Sequence, residues 1–298
     1  MSNHIFIEKI EYEKIYAHKD WDGVIGGGLI LRIFDIPIFF LNRVKEAKRA
    51  IIIETPFSLE AFIEESLIID HHDCRRGPLT EVRFGNIVIC DETYESVTSL
   101  IADFFDLDIP DNILFALEDI ESGRISENPL AEKMFLAYVS DLANFPYENI
   151  AKSVKNGDWK KILNWIERKS ASKETKVVKQ IAKIKVKNAE VLVDKVFLIK
   201  YNAEDPFEAG AARLALIQLQ KNVKIGITLG YKGIYAFCGM IATKHKKINL
   251  YKLFKELSRA NWDAGGRSDV GGFQIPYKLQ IDQAVEILRE TVSSFFKK

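Results

Sequence analysis

Three short stretches concentrate the side chains that can do chemistry: HKDWDG at residues 18–23, AIIIE at 50–54 and SLIIDHH at 66–72. They supply His18, Asp20 and Asp22, then Glu54, then Asp70, His71 and His72, so three of the chain's five histidines fall beside four acids. If residues 18–22 stay extended, alternation puts His18, Asp20 and Asp22 on one side and Lys19 and Trp21 on the other. Imidazoles mixed with carboxylates form a fairly hard ligand set, suited to Mn, Mg, Zn or Fe rather than to a thiolate-bound structural zinc. With at least five candidate ligands and Glu54 able to bridge, two ions roughly 3.5–4 Å apart fit, the arrangement that hydrolyses phosphoesters. Singly, each residue reads as an edge histidine, a strand cap or a turn; the conjunction points to metal. Cys74 follows closely, but no second soft ligand stands near it in the sequence.

All three stretches end apolar runs. KIYAH, IPIFFL, AIII, SLIID and NIVIC read as strands apolar on both faces, and they alternate with helical stretches such as GVIGGGLILRIF, SVTSLIADFF and NILFALEDI. That pattern indicates a largely parallel α/β sheet, in which ligands gather outside the carboxyl ends of the strands. The longest apolar run, residues 24–41, is interrupted by Arg32, Asp35 and Pro37 and reads as a helix followed by a buried strand, not a membrane span. From about Asn144 helices take over, and residues 151–187 hold 12 Lys or Arg against 3 Asp or Glu. A second α/β unit follows, ending in a helix from Ile281. The expected division is therefore 1–186, an α/β catalytic domain ending in a basic helical connector, and 187–298, a smaller α/β domain.

Composition sets limits on partners. The 298 residues carry 42 Lys plus Arg against 42 Asp plus Glu, so no bulk field draws the molecule onto nucleic acid or anionic lipid, and any basic surface is local. Cys74, Cys90 and Cys238 form no CxxC pair and no even-numbered framework, and the N-terminus lacks a basic segment followed by an apolar one. Both features fit a cytoplasmic protein without a membrane role.

HKDWDG and IIDHHD resemble the HxDxDG and DHH motifs of the DHH phosphoesterase superfamily, which includes RecJ exonucleases and oligoribonucleases of the NrnA type. AGGRSDVGGF, residues 264–273, is similar to the substrate loop of the DHHA1 domain that accompanies the first DHH subfamily. The resemblance spans nearly the whole chain and implies a DHH domain with a parallel sheet, joined through the connector to a DHHA1-type domain. It implies two divalent ions, Mn²⁺ with Mg²⁺ as alternative, with His18 and Asp20 on one, Asp22 on the other and Glu54 bridging where the family usually has Asp. His71 would be a ligand, His72 would face the scissile phosphate, and Asp70 would orient the pair. The remaining ligand falls in NILFALEDIESGRI, where Asp119 is favoured and Glu121 is the alternative.

The C-terminal loop departs from the family pattern, since Arg267 stands where the family has a substrate-binding His. An arginine still grips phosphate through two parallel hydrogen bonds, and Gly265, Gly266, Gly271 and Gly272 suit a backbone approach to it. The implied activity is metal-dependent hydrolysis of single-stranded DNA or RNA or of short oligonucleotides. Two alternatives stand beside it: a phosphatase or phosphodiesterase acting on pAp or a cyclic dinucleotide, and a non-catalytic scaffold in a replication or repair complex. A protein partner of that kind and a homodimer are left open. Trp21, Tyr94 and Trp262 are candidates for stacking a base, and the basic connector for following a nucleic-acid backbone.

Overall fold

Isoleucine-rich runs apolar on both faces suit the strands of a covered parallel sheet. The computed structural model, which describes residues 10–72, 85–220 and 222–297, places them so. Strands β1 (Lys14–His18), β2 (Ile38–Leu41), β4 (Ala50–Ile53), β6 (Leu67–Asp70) and β7 (Ile87–Cys90) form an all-parallel sheet in the order β2-β1-β4-β6-β7. Every residue of β4 and β6 is buried. Registers pair Ala17 with Ile53, Ile53 with Ile69 and Asp70 with Cys90, so β1, β4 and β6 finish side by side at one edge. Strands β3 (Val44–Lys48) and β5 (Phe57–Glu64) make a separate parallel pair.

The run at residues 24–41 resolves into a helix, α1 (Trp21–Ile30), and strand β2, as its interruptions suggest. No described helix is long and apolar enough to cross a membrane. Every residue of α1 is buried. Trp21 is 1% exposed, donates its indole N–H to the Met134 carbonyl at 2.7 Å, and meets Phe145 edge-on at 5.0 Å. It is a core residue and presents no face to a base. Helices α2 (Val97–Phe105) and α3 (Asp111–Glu121) follow the sheet, then α4 (Pro129–Val139), α5 (Tyr147–Lys155) and α6 (Trp159–Ser170).

The chain divides into two compact units, residues 1–135 with 145–168 and residues 136–144 with 169–298. Helix α7 (Lys173–Lys187), the most basic part of the connector, thus falls in the second unit, where Lys185 bonds to Glu208 of α8 (Pro206–Leu219) at 2.9 Å. The six-stranded mixed sheet of that unit runs β12-β13-β11-β10-β9-β8, with strands β8 (Glu190–Val193), β9 (Val196–Asn202), β10 (Ile225–Lys232), β11 (Tyr235–Ala242), β12 (Asp263–Gly266) and β13 (Val270–Gln280). Helices α9 (Tyr251–Arg259) and α10 (Ile281–Lys297) close a core built on Leu198, Ile227, Ile241, Phe254, Phe273 and Leu288. Trp262, 2% exposed, packs on Phe273 at 5.0 Å in this core and is likewise no stacking platform. The architecture is two α/β domains, the first built on a mainly parallel sheet.

Candidate metal centre

The shared carboxyl edge of β1, β4 and β6 delivers side chains from three strands to one place. His18 ends β1 and its Nδ1 bonds the Asp20 carboxylate. Asp20 is also the N-cap of α1, accepting the Gly23 N–H at 2.8 Å. A Cβ on Gly23 would lie 2.5 Å from the His18 carbonyl oxygen, so glycine lets the first turn of α1 close against the end of β1. The structure thus gives the final G of HKDWDG a steric reason.

Asp22 is fully buried in the first turn of α1. Its Oδ2 accepts the Val97 N–H at 2.7 Å and its Oδ1 the Thr98 N–H at 2.9 Å, so it satisfies two of the free donors at the start of α2. No spacing pattern in the sequence announces that partnership, since the residues stand 75 and 76 positions apart.

Glu54 follows β4, is 5% exposed and has φ +52°, a left-handed backbone that costs a non-glycine residue roughly 1–3 kcal/mol. Its Oε2 is buried without a hydrogen-bond partner. His71, 3% exposed, has Nδ1 3.1 Å from the Tyr94 carbonyl oxygen, an atom that only accepts. That contact puts the proton on Nδ1 and leaves the Nε2 lone pair facing Glu54 Oε1 at 3.4 Å and Asp22 Oδ2 at 3.7 Å. His72 repeats the logic: Nδ1 contacts Asp70 Oδ1 at 2.8 Å, and Nε2 lies 3.9 Å from Glu54 Oε1. The His71 Nε2 lone pair thus faces two carboxylates, one of them carrying the partnerless Glu54 oxygen, an arrangement that a cation relieves.

The titration directions agree. Burial, then the charges of Asp20, Asp22, Glu121 and Asp70, push Glu54 well above the ordinary carboxylate range. Burial, reinforced by the charge of His72, holds His71 below the usual imidazole range, which favours the neutral form that ligates metal. At Asp70 burial acts upward but is outweighed by the His72 charge and hydrogen bonds, which keep the carboxyl low. Burial would likewise lower His18, yet the Asp20 carboxylate raises it.

Among the described residues, potential ligand atoms fall into three overlapping groups, each with its atoms within 4.8 Å of one another: Glu54 with His71 and His72, Asp22 with Glu54, His71 and Glu121, and His18 with Asp20 and Glu54. Glu54 belongs to all three. Of the two candidates on α3, the helix brings Glu121 to the cluster, while Asp119 bonds Arg124 and Asn128, each at 2.9 Å. Two residues along a helix are about 200° apart, so both cannot face the same way. On this geometry Glu121, the alternative, lies with the other candidate ligands, and the favoured Asp119 does not. The residues present fit divalent metal by number, by donor type and by the partnerless Glu54 oxygen. Cys74 lies outside the described residues.

In the second unit, Gly265 and Gly266 on β12 pair with Gly272 and Gly271 on β13, and Arg267 opens the intervening turn, its N–H on the Val270 carbonyl at 2.7 Å. The Arg267 guanidinium lies 3.7 Å from Asp269. A Cβ on Gly271 would meet the Gly265 carbonyl oxygen at 2.3 Å and the Phe254 ring at 2.4 Å, so packing alone demands glycine there.

No protein-family model and no curated protein matches the sequence. Among solved structures the chain is similar to the pGpG-specific phosphodiesterase PggH of Vibrio cholerae, with a TM-score of 0.54 and 14% identity over 96% of this chain and 99% of that one. It is also similar to RecJ of Thermus thermophilus in complex with Mn²⁺, with a TM-score of 0.52 and 9% identity over 98% of this chain. It spans 53% of that RecJ chain. The chain thus shares with these structures a fold of two α/β domains, with the acids and histidines gathered at the carboxyl ends of β1, β4 and β6.

Proposed function

We propose that this protein is a divalent-metal-dependent phosphodiesterase that hydrolyses single-stranded nucleic acid and short oligonucleotides. The observation that carries the reading is the convergence of the His71 Nε2 lone pair, Asp22 and a partnerless Glu54 oxygen at the edge where β1, β4 and β6 end. Two divalent ions held there, Mn²⁺ before Mg²⁺, would supply water acidified toward neutral pH and positive charge to offset the phosphoryl oxygens.

Glu54, common to all three ligand groups, would be the carboxylate that every one of them uses to hold metal. Asp22 and His71 present one fixed oxygen and one fixed nitrogen, held by the α2 amides and the Tyr94 carbonyl. His18, Asp20 and Glu121 complete the set. The His72 side chain is 34% exposed where those of His71, Asp22 and Glu54 are 3% or less, so His72 is the residue that meets the phosphate, and Asp70 fixes its tautomer. Arg267, with Gly265, Gly266, Gly271 and Gly272, is the phosphate clamp of the second domain.

A small-nucleotide substrate is the second reading. It draws support from the match to nearly the full length of the pGpG-specific enzyme, against about half of the RecJ chain. End-labelled DNA and RNA oligomers, linear dinucleotides, a cyclic dinucleotide and pAp, incubated with Mn²⁺ or EDTA, separate these. Stepwise shortening that requires metal supports the oligonucleotide reading, and cleavage confined to dinucleotides or pAp supports the second. A folded protein inert on all of them contradicts both and leaves the scaffold.

A further inference from the structure

Helix α7 buries Thr175, Val178 and Ala182 and turns the opposite side to solvent. At about 100° per residue, exposed Lys173, Lys176, Val177, Gln180, Lys183, Ile184 and Lys187 fall in one arc of roughly 120°, running some 21 Å along the helix. No acid lies in that arc; Glu174, the only acid of α7, projects outside it. The inward Lys185 is engaged by Glu208 at 2.9 Å and by the Lys200 carbonyl at 3.0 Å. Lys173, Lys176, Lys183 and Lys187 form no ion pair with any described residue. Four lysines without an ion pair thus share one ridge in a chain whose positive and negative residues balance at 42 each. Val177 and Ile184, 41% and 59% exposed, add two aliphatic contacts seven residues apart on the same ridge.

From this we infer that the outer face of α7 binds the phosphate backbone of a single-stranded nucleic acid, an interaction surface separate from the metal centre. The occupant follows from charge: a row of lysines free of acids matches a linear polyanion, and the two aliphatic side chains match sugar edges rather than a second row of charges. The inference rests on the oligonucleotide reading above. Dinucleotides are too short to use the ridge, so it governs affinity for longer chains and not the chemistry.

The test is fluorescence anisotropy of an end-labelled oligothymidylate and oligouridylate of about 15 nucleotides, titrated in EDTA over a series of salt concentrations. The proteins are wild type, K173Q/K176Q/K183Q/K187Q, and a control with the same loss of charge elsewhere, K244Q/K246Q/K247Q/K252Q. Contact with up to four phosphates gives wild type a log–log salt slope of about −2 to −3. The ridge variant should bind about 10-fold more weakly or worse, with a slope reduced by about 2, while the control keeps most of both. Equal losses in ridge variant and control, or no binding by wild type, overturn the inference. Dinucleotide hydrolysis in Mn²⁺ is measured on the same samples and should be equal in all three. Wild type inert on dinucleotides and oligomers alike contradicts the proposed function, while the anisotropy result is read on its own.

Discussion

In metal-free protein the Glu54 carboxyl is buried among Asp20, Asp22, Asp70 and Glu121 and holds its proton well above the usual range, first because of burial and then because of those charges. Glutamine keeps the size and removes the charge. In EDTA, Glu54→Gln should therefore raise stability by about 1 kcal/mol, a few degrees in Tm. Adding Mn²⁺ should reverse the order, because only wild type gains the binding free energy of the ions. A lower Tm for the variant in EDTA would show Glu54 to be a packing residue, not a ligand. Calorimetric Mn²⁺ binding separates the two acids of α3. Glu121→Gln should weaken affinity about 10-fold or more, whereas Asp119→Asn should leave it within about 2-fold and lower stability by roughly 0.5–1 kcal/mol through its contact with Arg124. The reverse pattern would restore Asp119 to the site. The sequence brought out both residues in NILFALEDIESGRI but not the choice between them, because the phase of a helix depends on which residues it buries, here Ile113, Ala116 and Leu117.

At the level of elements, the metal centre and the fold share a part. Asp22 ties the start of α1 to the start of α2, since its two oxygens take the Val97 and Thr98 amides. Asp22→Ala leaves both buried N–H groups without an acceptor and should cost about 2–4 kcal/mol, seen as a lower midpoint in urea. Asp22→Asn keeps one acceptor and should cost less than half as much; equal losses would mean that charge, not hydrogen bonding, holds α2 in place. Gly23→Ala should destabilise by about 1–3 kcal/mol, because its Cβ would press on the His18 backbone. These results decide how inactive variants are to be read: lost activity in Asp22→Ala mixes chemistry with folding, whereas Glu54→Gln isolates the chemistry. Strands β4 and β6 were legible because two-sided burial leaves a continuous apolar run, and β1 and β7 because they too are mostly apolar, although β1 buries alternate residues and β7 is half-buried. Strands β3 and β5 were not, because VKEAK and FSLEAFIE pair only with each other and mix charge into every turn of the pattern.

Over the whole molecule, the order of motifs along the chain revealed two α/β domains, since HKDWDG and IIDHH lie near one end and AGGRSDVGGF near the other. The boundary was harder to read. Residues 136–139 continue α4 and α7 is a helix like the segment before it, so only packing assigns 136–144 and α7 to the second unit. Trp21 and Trp262 illustrate the same limit, for an aromatic residue's role depends on its burial, and both lie in cores. The most direct measurement is a Mn²⁺ titration of wild type and Glu54→Gln that reads, in one set of samples, ions bound by calorimetry and the rate of dinucleotide or oligonucleotide hydrolysis. Wild type should bind two ions, with hydrolysis rising in step with occupancy and vanishing in EDTA, while the folded variant should lose about 100-fold or more of the rate. Hydrolysis that persists in EDTA, or a folded wild type that binds no ion, would contradict the account.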